Sequence, residues 1–299
     1  MTGGSLDLHE IRRVRGGVVY DNGRRWVGPG PGHSRQDRSL SVVIATDGRP
    51  LVHSFAGDPF PACANHVGLA HDATPASRAS LDRLRAERAA EQRRADAEAA
   101  DFCQAAWSGA GPIEATPAES YLFSRGLIYE GDALRFHRTA PRSRCEDGPP
   151  PHPAMVALVS GPDGYGRSLH STYLNLDGRK AFGARSRLMF GRTGEGAVRL
   201  QPIGSGGVLA VGEGIETALA FASLRGTPTW AALSTSGLTT FKPPANVRRL
   251  LIATDADDGG AGLKAGKALA ERVQRQCDVE IHPAPNGRDW ADEWANANG

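Results

Sequence analysis

The sequence predicts an α/β protein whose C-terminal part is a largely parallel sheet flanked by helices. From residue 207 onward, short apolar runs alternate with helix-forming segments in the order β-α-β-β-α-β. This alternation is typical of parallel sheets that carry helices on their faces. Upstream, shorter runs of β-forming residues are separated by Asp-Gly pairs, which indicates antiparallel strands. The chain of 299 residues is long enough for two domains of ordinary size.

Four segments are expected along the chain: a small β-rich unit at 1–73, a linker helix at 74–108, a basic α+β subdomain at 109–204 and the parallel-sheet domain at 205–299. In the first, SLSVVIA (39–45) and RPLVHSF (49–55) are predicted strands joined by a turn at Asp47-Gly48. The next segment is a predicted helix over 77–107, because it is rich in alanine, glutamate and arginine and lacks glycine and proline. We interpret it as a solvated spacer; the alternative is an arm that contacts a partner or nucleic acid.

The two later segments follow from the same signals. AESYLFSRGL is a predicted short helix ending at Gly126, and residues 138–153 are a predicted loop. AMVALVS, LHSTYLNL and RLMFG then form a predicted antiparallel meander. In the last segment the predicted strands are GVLAVG, TWAALST, RRLLIAT and VEIHPAP, and the predicted helices are IETALAFASLRG and LKAGKALAERVQRQC.

Composition excludes several classes of protein. The formal net charge is only +2, so any nucleic-acid-binding surface must be local. The four cysteines are far apart and form no CxxC pair, which argues against a disulfide framework and against an intact cysteine zinc site. No apolar run approaches ~20 residues and the N-terminus lacks a signal-peptide core, so we expect a cytoplasmic protein without a membrane span.

Acidic residues follow two predicted strands of the last segment. Glu213 comes directly after one strand, and Asp255 and Asp257 come directly after another. In an open α/β sheet, ligands bind outside the carboxyl ends of the strands, so these side chains are expected at one edge. Three converging carboxylates repel one another unless a cation lies between them, and hard oxygen ligands suit Mg²⁺. The alternative is that these acids cap helices and turns.

A third acidic cluster, Asp289 and Asp292, follows the last predicted strand and could reach a second metal ion. The segments LAVGEGIETALA, LLIATDADDGGAG and NGRDWADEW, in this order over 207–296, resemble the Toprim domain shared by bacterial primases, topoisomerases and some nucleases. The resemblance implies that Glu213 acts as acid/base or metal ligand and that Asp255 and Asp257 hold Mg²⁺ (or Mn²⁺). One departure is Thr217, which stands where replicative primases carry a further acid. Another is the final cluster, which has two residues between its aspartates instead of one.

Residues 105–200 resemble the region that precedes Toprim in primase-like proteins of phages and mobile elements, through TPAESYLFSRGL, LRFHR and LHSTYLNLDGRKA. This region also supplies a local basic surface, from which we predict four residues that bind nucleic acid or nucleotides: Lys180, Arg185, Arg187 and Arg192. The aromatic residues Tyr173, Phe182 and Phe190 interleave with them. The alternative is a solvated meander with ordinary surface arginines.

The first unit resembles the zinc ribbon of primases, but most of the ligand positions are changed. In the resemblance His33 is retained, whereas Gly30, Ser54 and Asp58 occupy the positions of the three cysteines. A closed structural zinc site needs four soft or imidazole donors, so we expect a zinc-free remnant of that fold.

Together these features predict a primase-like RNA polymerase that joins ribonucleotides on single-stranded DNA. The implied partners are single-stranded DNA, ribonucleoside triphosphates and a helicase on a separate chain, because GLKAGKA does not have the spacing of a phosphate-binding P-loop. Two alternatives remain: a Toprim nuclease that cleaves DNA with the same metal ions, and a non-catalytic protein that binds nucleic acid or a partner.

Overall fold

The structure is a computed structural model and describes residues 6–45, 48–69, 78–256, 259–285 and 288–298. It divides the chain into two compact units, residues 1–92 and residues 93–299. Within the described residues, no helix combines the length and the apolar character that crossing a bilayer demands.

The first unit contains a four-stranded antiparallel sheet with the strand order β1-β2-β3-β4. Its elements are α1 (Leu8–Arg15), β1 (Val18–Tyr20), β2 (Arg25–Gly28), β3 (Leu40–Ile44), β4 (Pro50–Ser54) and α2 (Phe60–His66). The two predicted strands are confirmed as β3 and β4. In the predicted turn between them, Gly48 has a φ of 81°, whereas Asp47 lies outside the described residues. The other elements of this unit were not predicted, because each is too short to show a clear hydrophobic period.

Trp26 lies at the centre of this unit. Its side chain is fully buried, and its indole Nε1 donates a hydrogen bond of 2.9 Å to the carbonyl oxygen of Gly16. A Cβ atom added at Gly28 would lie 2.3 Å from the indole ring, far inside van der Waals contact. Glycine at position 28 is therefore required by the packing of the tryptophan.

The long predicted helix is confirmed as α3 (Arg78–Ser108). Its last turns belong to the second unit, where Ala99, Ala100 and Cys103 are buried. Cys103 shares a core with Leu169 and other residues of the antiparallel sheet described next. The interpretation of the helix as a solvated spacer is therefore wrong for these turns, which lie against a sheet that the helix sequence does not reveal.

The second unit continues with α4 (Pro117–Phe123) and an antiparallel sheet of β5 (Arg135–Ala140), β6 (His152–Ser160), β7 (Gly166–Tyr173) and β8 (Arg187–Phe190). The predicted meander is confirmed as β6, β7 and β8. Strand β5 was not predicted, and its end overlaps the predicted loop. Helix α4 ends three residues before Gly126, where the Ser124 hydroxyl donates a hydrogen bond of 2.7 Å to the backbone oxygen of Tyr121.

The C-terminal part is a four-stranded parallel sheet with the strand order β10-β9-β11-β12. Its elements are β9 (Val208–Gly212), α5 (Ile215–Arg225), β10 (Thr229–Ala231), α6 (Thr235–Thr240), β11 (Arg249–Thr254), α7 (Ala261–Val273), β12 (Asp278–Pro283) and α8 (Trp290–Asn298). The predicted α/β class with a helix-flanked parallel sheet is confirmed. The helix α6 was not predicted, because its sequence TSGLTT has low helix propensity; Ser234 caps its N-terminus by accepting a hydrogen bond from the Gly237 N–H.

Alternate residues of the central strands face two different cores. Leu209 and Val211 pack in the core that contains residues of α6 and α7. Ala210 packs in the other core, which contains residues of α5 and α8 and also residues of α4 and β6. Because α4, β6 and α5 share this second core, residues of α4 and of the antiparallel sheet lie directly beside the helix that follows β9.

Candidate functional site

Two of the predicted acidic residues lie at the carboxyl ends of adjacent parallel strands. Gly212, the last residue of β9, pairs in register with Ala253 of β11. Glu213 comes directly after β9, and Asp255 comes directly after Thr254, the last residue of β11. Both side chains are half-buried, and the Oε1 atom of Glu213 is shielded from solvent. The sheet therefore brings Glu213 and Asp255 to the same edge, as predicted.

Asp255 is held in place from two sides. The Thr217 hydroxyl donates a hydrogen bond of 2.9 Å to Oδ2, and the Trp290 N–H donates one of 3.3 Å to Oδ1. The neighbouring Ala256 N–H donates a 2.9 Å bond to the backbone oxygen of Arg288. Thr217, at the position where the resemblance places an acid, therefore contacts the acidic site as a hydrogen-bond donor.

The remaining predicted metal ligands have different positions. Asp257 lies outside the described residues. Asp289 accepts a 2.6 Å hydrogen bond from the Asp292 N–H, and it therefore caps the first turn of α8. Asp292 is exposed in that turn. The part of the chain that the structure describes contains no group of three or more His, Cys, Asp or Glu residues arranged to hold a metal ion.

The two described acids fit Mg²⁺ in their chemistry. Both offer hard carboxylate oxygens at a strand edge, and Mg²⁺ commonly uses one or two carboxylates together with water and substrate phosphates. A carboxylate oxygen accepts more than one donor or cation, so the hydrogen bonds to Asp255 are compatible with a metal contact. Glu213 and Asp255 are therefore the described acids that could hold such an ion.

Glu216 precedes Thr217 in α5 and is the centre of a buried ionic cluster that was not predicted. Its side chain is almost fully buried, and its Oε1 atom lies 2.7 Å from Nη2 of Arg187 and 3.6 Å from Nζ of Lys180. The Tyr121 hydroxyl donates a second hydrogen bond to the same oxygen. We call these four residues the Glu216 cluster. A charged residue inside the apolar run IETALAFA was the one signal of it in the sequence.

The charges of the Glu216 cluster are mutually dependent. Burial raises the pKa of Glu216, but the positive charge of Arg187 and the hydrogen bond from Tyr121 outweigh that effect and lower it to about 2. Burial lowers the pKa of Lys180, while the charge of Glu216 acts in the opposite direction. Burial and the nearby carboxylate raise the pKa of Tyr121. Glu216 is therefore ionised at neutral pH and is stabilised by both cations.

The four predicted basic residues thus separate into two groups. Lys180 and Arg187 come together at Glu216. Arg185 is exposed in the turn before β8, and Arg192 forms an ion pair of 3.2 Å with Asp96 of α3. The structure therefore brings two of the four together near the acidic edge and does not bring the other two there.

The aromatic residues predicted to interleave with these cations differ in exposure. Tyr173 and Phe190 are buried in the core of the antiparallel sheet, so they are not available to stack on bases. Phe182 is exposed, and the guanidinium of Arg142 lies 3.9 Å from the centre of its ring. The sequence could not separate the two roles, because β-strand aromatics suit both a core and a stacking surface.

The positions that resemble zinc ligands also converge in space within the first unit. Nε2 of His33 lies 3.3 Å from Oδ1 of Asp58, and the Ser54 hydroxyl donates a 2.8 Å hydrogen bond to Oδ2 of Asp58. A Cβ atom at Gly30 would lie 2.7 Å from Asp58. Nδ1 of His33 contacts Asp37 at 2.8 Å. Side-chain contacts therefore connect three of the four positions, His33, Ser54 and Asp58, and Gly30 lies beside Asp58.

We expect purified protein to contain far less than one zinc ion per chain, because this set of side chains lacks the sulfur donors of a structural site. Chelation with EDTA should then leave the unfolding transition of the first unit unchanged. Elemental analysis and a melting curve with and without EDTA test this. One equivalent of bound zinc, or unfolding on chelation, would contradict the expectation.

The cluster around His33 should also respond to pH. The hydrogen bond with Asp37 raises the pKa of His33 above its ordinary 6.5. The stability contributed by this contact is therefore fully present below about 6.5 and is lost as the pH rises through the raised pKa. We expect the melting temperature of the first unit to fall over that range in the native protein and to show a smaller dependence in His33→Gln.

Comparison with known proteins identifies the C-terminal domain. Residues 208–298 match the Toprim domain family. The resemblance drawn from the sequence is confirmed here. Residues 97–200 match a family described as a domain of unknown function, DUF7146. A search among curated proteins found no match to this chain.

Several solved structures are similar to this chain. One is a DNA primase domain from Pseudomonas aeruginosa, with 17% identity and a TM-score of 0.43 over 65% of this chain and 73% of that one. Another is the Aquifex aeolicus primase with its zinc-binding and RNA polymerase domains, with 15% identity and a TM-score of 0.42 over 98% and 86%. A third is the primase fragment of the bacteriophage T7 primase-helicase, with 16% identity and a TM-score of 0.40 over 59% and 69%.

Proposed function

We propose that this protein is a primase-like nucleotidyltransferase that synthesises RNA primers on single-stranded DNA. The observation that carries the proposal is the proximity of an acidic edge and a cationic pair within one site. A Cβ atom added at Gly214 would lie 3.6 Å from both Oε2 of Glu216 and Oγ1 of Thr217. The Glu216 cluster and the Thr217–Asp255 hydrogen bond therefore meet beside the residue that follows Glu213. Carboxylates for a metal ion next to cations for phosphate are the groups that phosphoryl transfer requires.

In this proposal each group has a defined task. The 3′-hydroxyl oxygen of the growing primer forms a bond to the α-phosphorus of the incoming triphosphate, and the bond from that phosphorus to the β-phosphate oxygen breaks, releasing pyrophosphate. Glu213 orients the hydroxyl and accepts its proton, while Lys180 and Arg187 bind phosphate oxygens. Asp255, together with Asp257, would hold Mg²⁺, which when bound neutralises charge on the phosphates. Asp289 and Asp292 remain candidates for a second ion.

A priming assay tests the proposal. Single-stranded DNA is incubated with the protein, four ribonucleoside triphosphates and Mg²⁺, and labelled ribonucleotide incorporation is measured. We expect template-dependent RNA products that disappear when EDTA replaces Mg²⁺. Absence of RNA product from the folded native protein would refute the proposed activity. No helicase is added, because the template is already single-stranded.

The same geometry favours a second candidate, a Toprim nuclease, because Lys180 and Arg187 could equally bind a phosphodiester of DNA beside a metal ion held by Asp255. Incubation with DNA and Mg²⁺ in the absence of nucleotides separates the two, since only a nuclease then yields product.

A third candidate is a non-catalytic nucleic-acid-binding protein. It is favoured by Thr217, which replaces an acid, and by the changed positions of the zinc ligands. Binding of single-stranded DNA with neither product would support that third candidate.

Thr217 provides a test of the metal site that does not depend on the reaction. We expect Thr217→Val to weaken Mg²⁺ binding by about 10- to 100-fold, the usual effect of losing a partner that orients a metal ligand. Thr217→Ser keeps the hydroxyl and should bind as the native protein does. Isothermal titration with Mg²⁺ measures the affinity directly. Equal Mg²⁺ affinity in Thr217→Val and Thr217→Ser would show that the hydrogen bond to Asp255 does not orient a ligand.

A further inference from the structure

We infer that Glu216 is a positioning residue, which holds Lys180 and Arg187 together as a preformed binding site for a phosphate group beside Glu213 and Asp255. The inference rests on the proposed function and deepens it, because it assigns a task to a residue outside the acidic motif. The phosphate could belong to a ribonucleoside triphosphate or to a DNA strand. The two sources share the same chemistry and are distinguished by experiment below.

The contacts around Glu216 fix the cations without using up their hydrogen-bonding capacity. One carboxylate oxygen, Oε1, accepts hydrogen bonds from Tyr121 and Arg187 and forms an ion pair with Lys180. A guanidinium has five N–H donors, and an ammonium group has three. The hydrogen bond from Arg187 to Glu216 engages one nitrogen, Nη2, and the Arg187 side chain is half-exposed. Donors of Arg187 can therefore reach a phosphate while the side chain remains anchored.

The crowding of two cations, one of them largely buried, explains why the carboxylate of Glu216 is needed to hold them. Lys180 is only about one quarter exposed, with a side-chain accessibility of 27%. Two cations so close together repel each other, and long side chains lose conformational freedom when they are held in one geometry. The carboxylate of Glu216 offsets the repulsion and restricts both side chains before a ligand arrives. A preorganised site binds more tightly, because the ligand does not have to order it.

A site that acts by charge alone would behave in the opposite way. Lys180 and Arg187 carry two positive charges and Glu216 one negative charge, so the cluster has a net charge of +1. Glu216→Gln would raise that charge to +2 and would attract phosphate more strongly if charge alone governed binding. If Glu216 positions the cations, the same substitution weakens binding despite the higher charge. The two explanations therefore predict opposite signs.

The experiment measures equilibrium binding by fluorescence anisotropy with two probes in Mg²⁺ buffer, a labelled ribonucleoside triphosphate and a labelled single-stranded DNA oligonucleotide. We expect Glu216→Gln to bind at least one probe about tenfold more weakly, the loss typical of one charged hydrogen-bond partner. The probe that is affected identifies the source of the phosphate. Glu280→Gln is the matched control, because Glu280 also pairs with an arginine, Arg249, but on the edge strand β12 and at the surface.

A second pair of variants keeps the test informative if Glu216→Gln does not fold. Arg187→Gln is compared with the double variant Glu216→Gln/Arg187→Gln, which carries no uncompensated carboxylate. Positioning of Lys180 by Glu216 predicts weaker binding in the double variant than in Arg187→Gln. Charge counting predicts tighter binding in the double variant, because its net charge is higher.

The outcomes separate this inference from the proposed function. If the native protein binds a probe in a Glu216-dependent way but makes no RNA, the proposed activity fails and the positioning role stands. If it makes RNA and Glu216→Gln binds both probes equally well or more tightly, the positioning role is refuted and the activity stands. Failure of the native protein to bind either probe refutes the positioning role as well.

Discussion

Replacing Asp255 by asparagine should reduce ribonucleotide incorporation by on the order of a thousandfold, since a metal ion contributes several kcal/mol of charge stabilisation to a phosphoryl transfer. Asparagine has nearly the same shape as aspartate, so it can accept one of the two hydrogen bonds that Thr217 and the Trp290 N–H donate, while the negative charge is lost. The double variant Asp255→Asn/Asp257→Asn should abolish synthesis. The measurement is the initial rate of labelled product in the priming assay, with circular dichroism to verify the fold.

Asp278→Asn is the matched control for this prediction. Asp278 is exposed at the beginning of β12, at the opposite end of the parallel strand from the acidic edge. Its substitution should leave the rate unchanged. A rate for Asp255→Asn within a few-fold of the native rate would show that Asp255 has no role in the reaction, even if the protein proved to be an active polymerase.

Replacing Arg187 by methionine should destabilise the second unit by about 3 kcal/mol, because removal of one partner leaves a buried charge with too little compensation. Glu216 is buried and would keep only Lys180 and the Tyr121 hydroxyl as partners. Urea unfolding monitored by circular dichroism at neutral pH measures the free energy of unfolding of this unit. Arg249→Met removes the corresponding arginine from the surface pair with Glu280 and should cost less than about 1 kcal/mol.

The pH dependence of unfolding provides an independent check of this pair. The pKa of Glu216 is lowered in the folded protein, so its stabilising effect is present above the ordinary value of 4.5 and is lost as the pH falls toward about 2. In Arg187→Met the main cause of the lowering is removed, so the loss of stability across this window should be smaller. Native and variant proteins that lose stability equally between these pH values would contradict the assigned charge of Glu216.

The acidic edge was predictable because it depends on local order in the sequence. A glutamate directly after one apolar strand and an aspartate directly after another must meet if the two strands are parallel neighbours, as β9 and β11 are. The match of residues 208–298 to the Toprim family confirms the resemblance that these motifs suggested. The prediction of Asp257 as a partner of Asp255 stays a prediction, since Asp257 lies outside the described residues.

The Glu216 cluster could not be predicted in the same way. Its members come from α4, from the segment before β8, from β8 itself and from α5, so no local spacing relates Tyr121 to Glu216. The sequence also assigned Lys180 and Arg187 to a group with Arg185 and Arg192, because basic residues close together look equivalent. Only the packing of α4 and α5 in a common core selects two of them and leaves Arg192 paired with α3.

By itself the sequence determined the α/β class, the long helix α3, the antiparallel meander and the strand ends that carry Glu213 and Asp255. These features follow from hydrophobic periods and turn residues, which act over a few positions of the chain. The tertiary structure alone decided that Thr217 donates to Asp255 and that Glu216 joins two distant cations. The reason is physical: hydrogen bonds and ion pairs between remote segments depend on which helix faces share a core, and the strength of a buried charge depends on partners that sequence spacing does not encode.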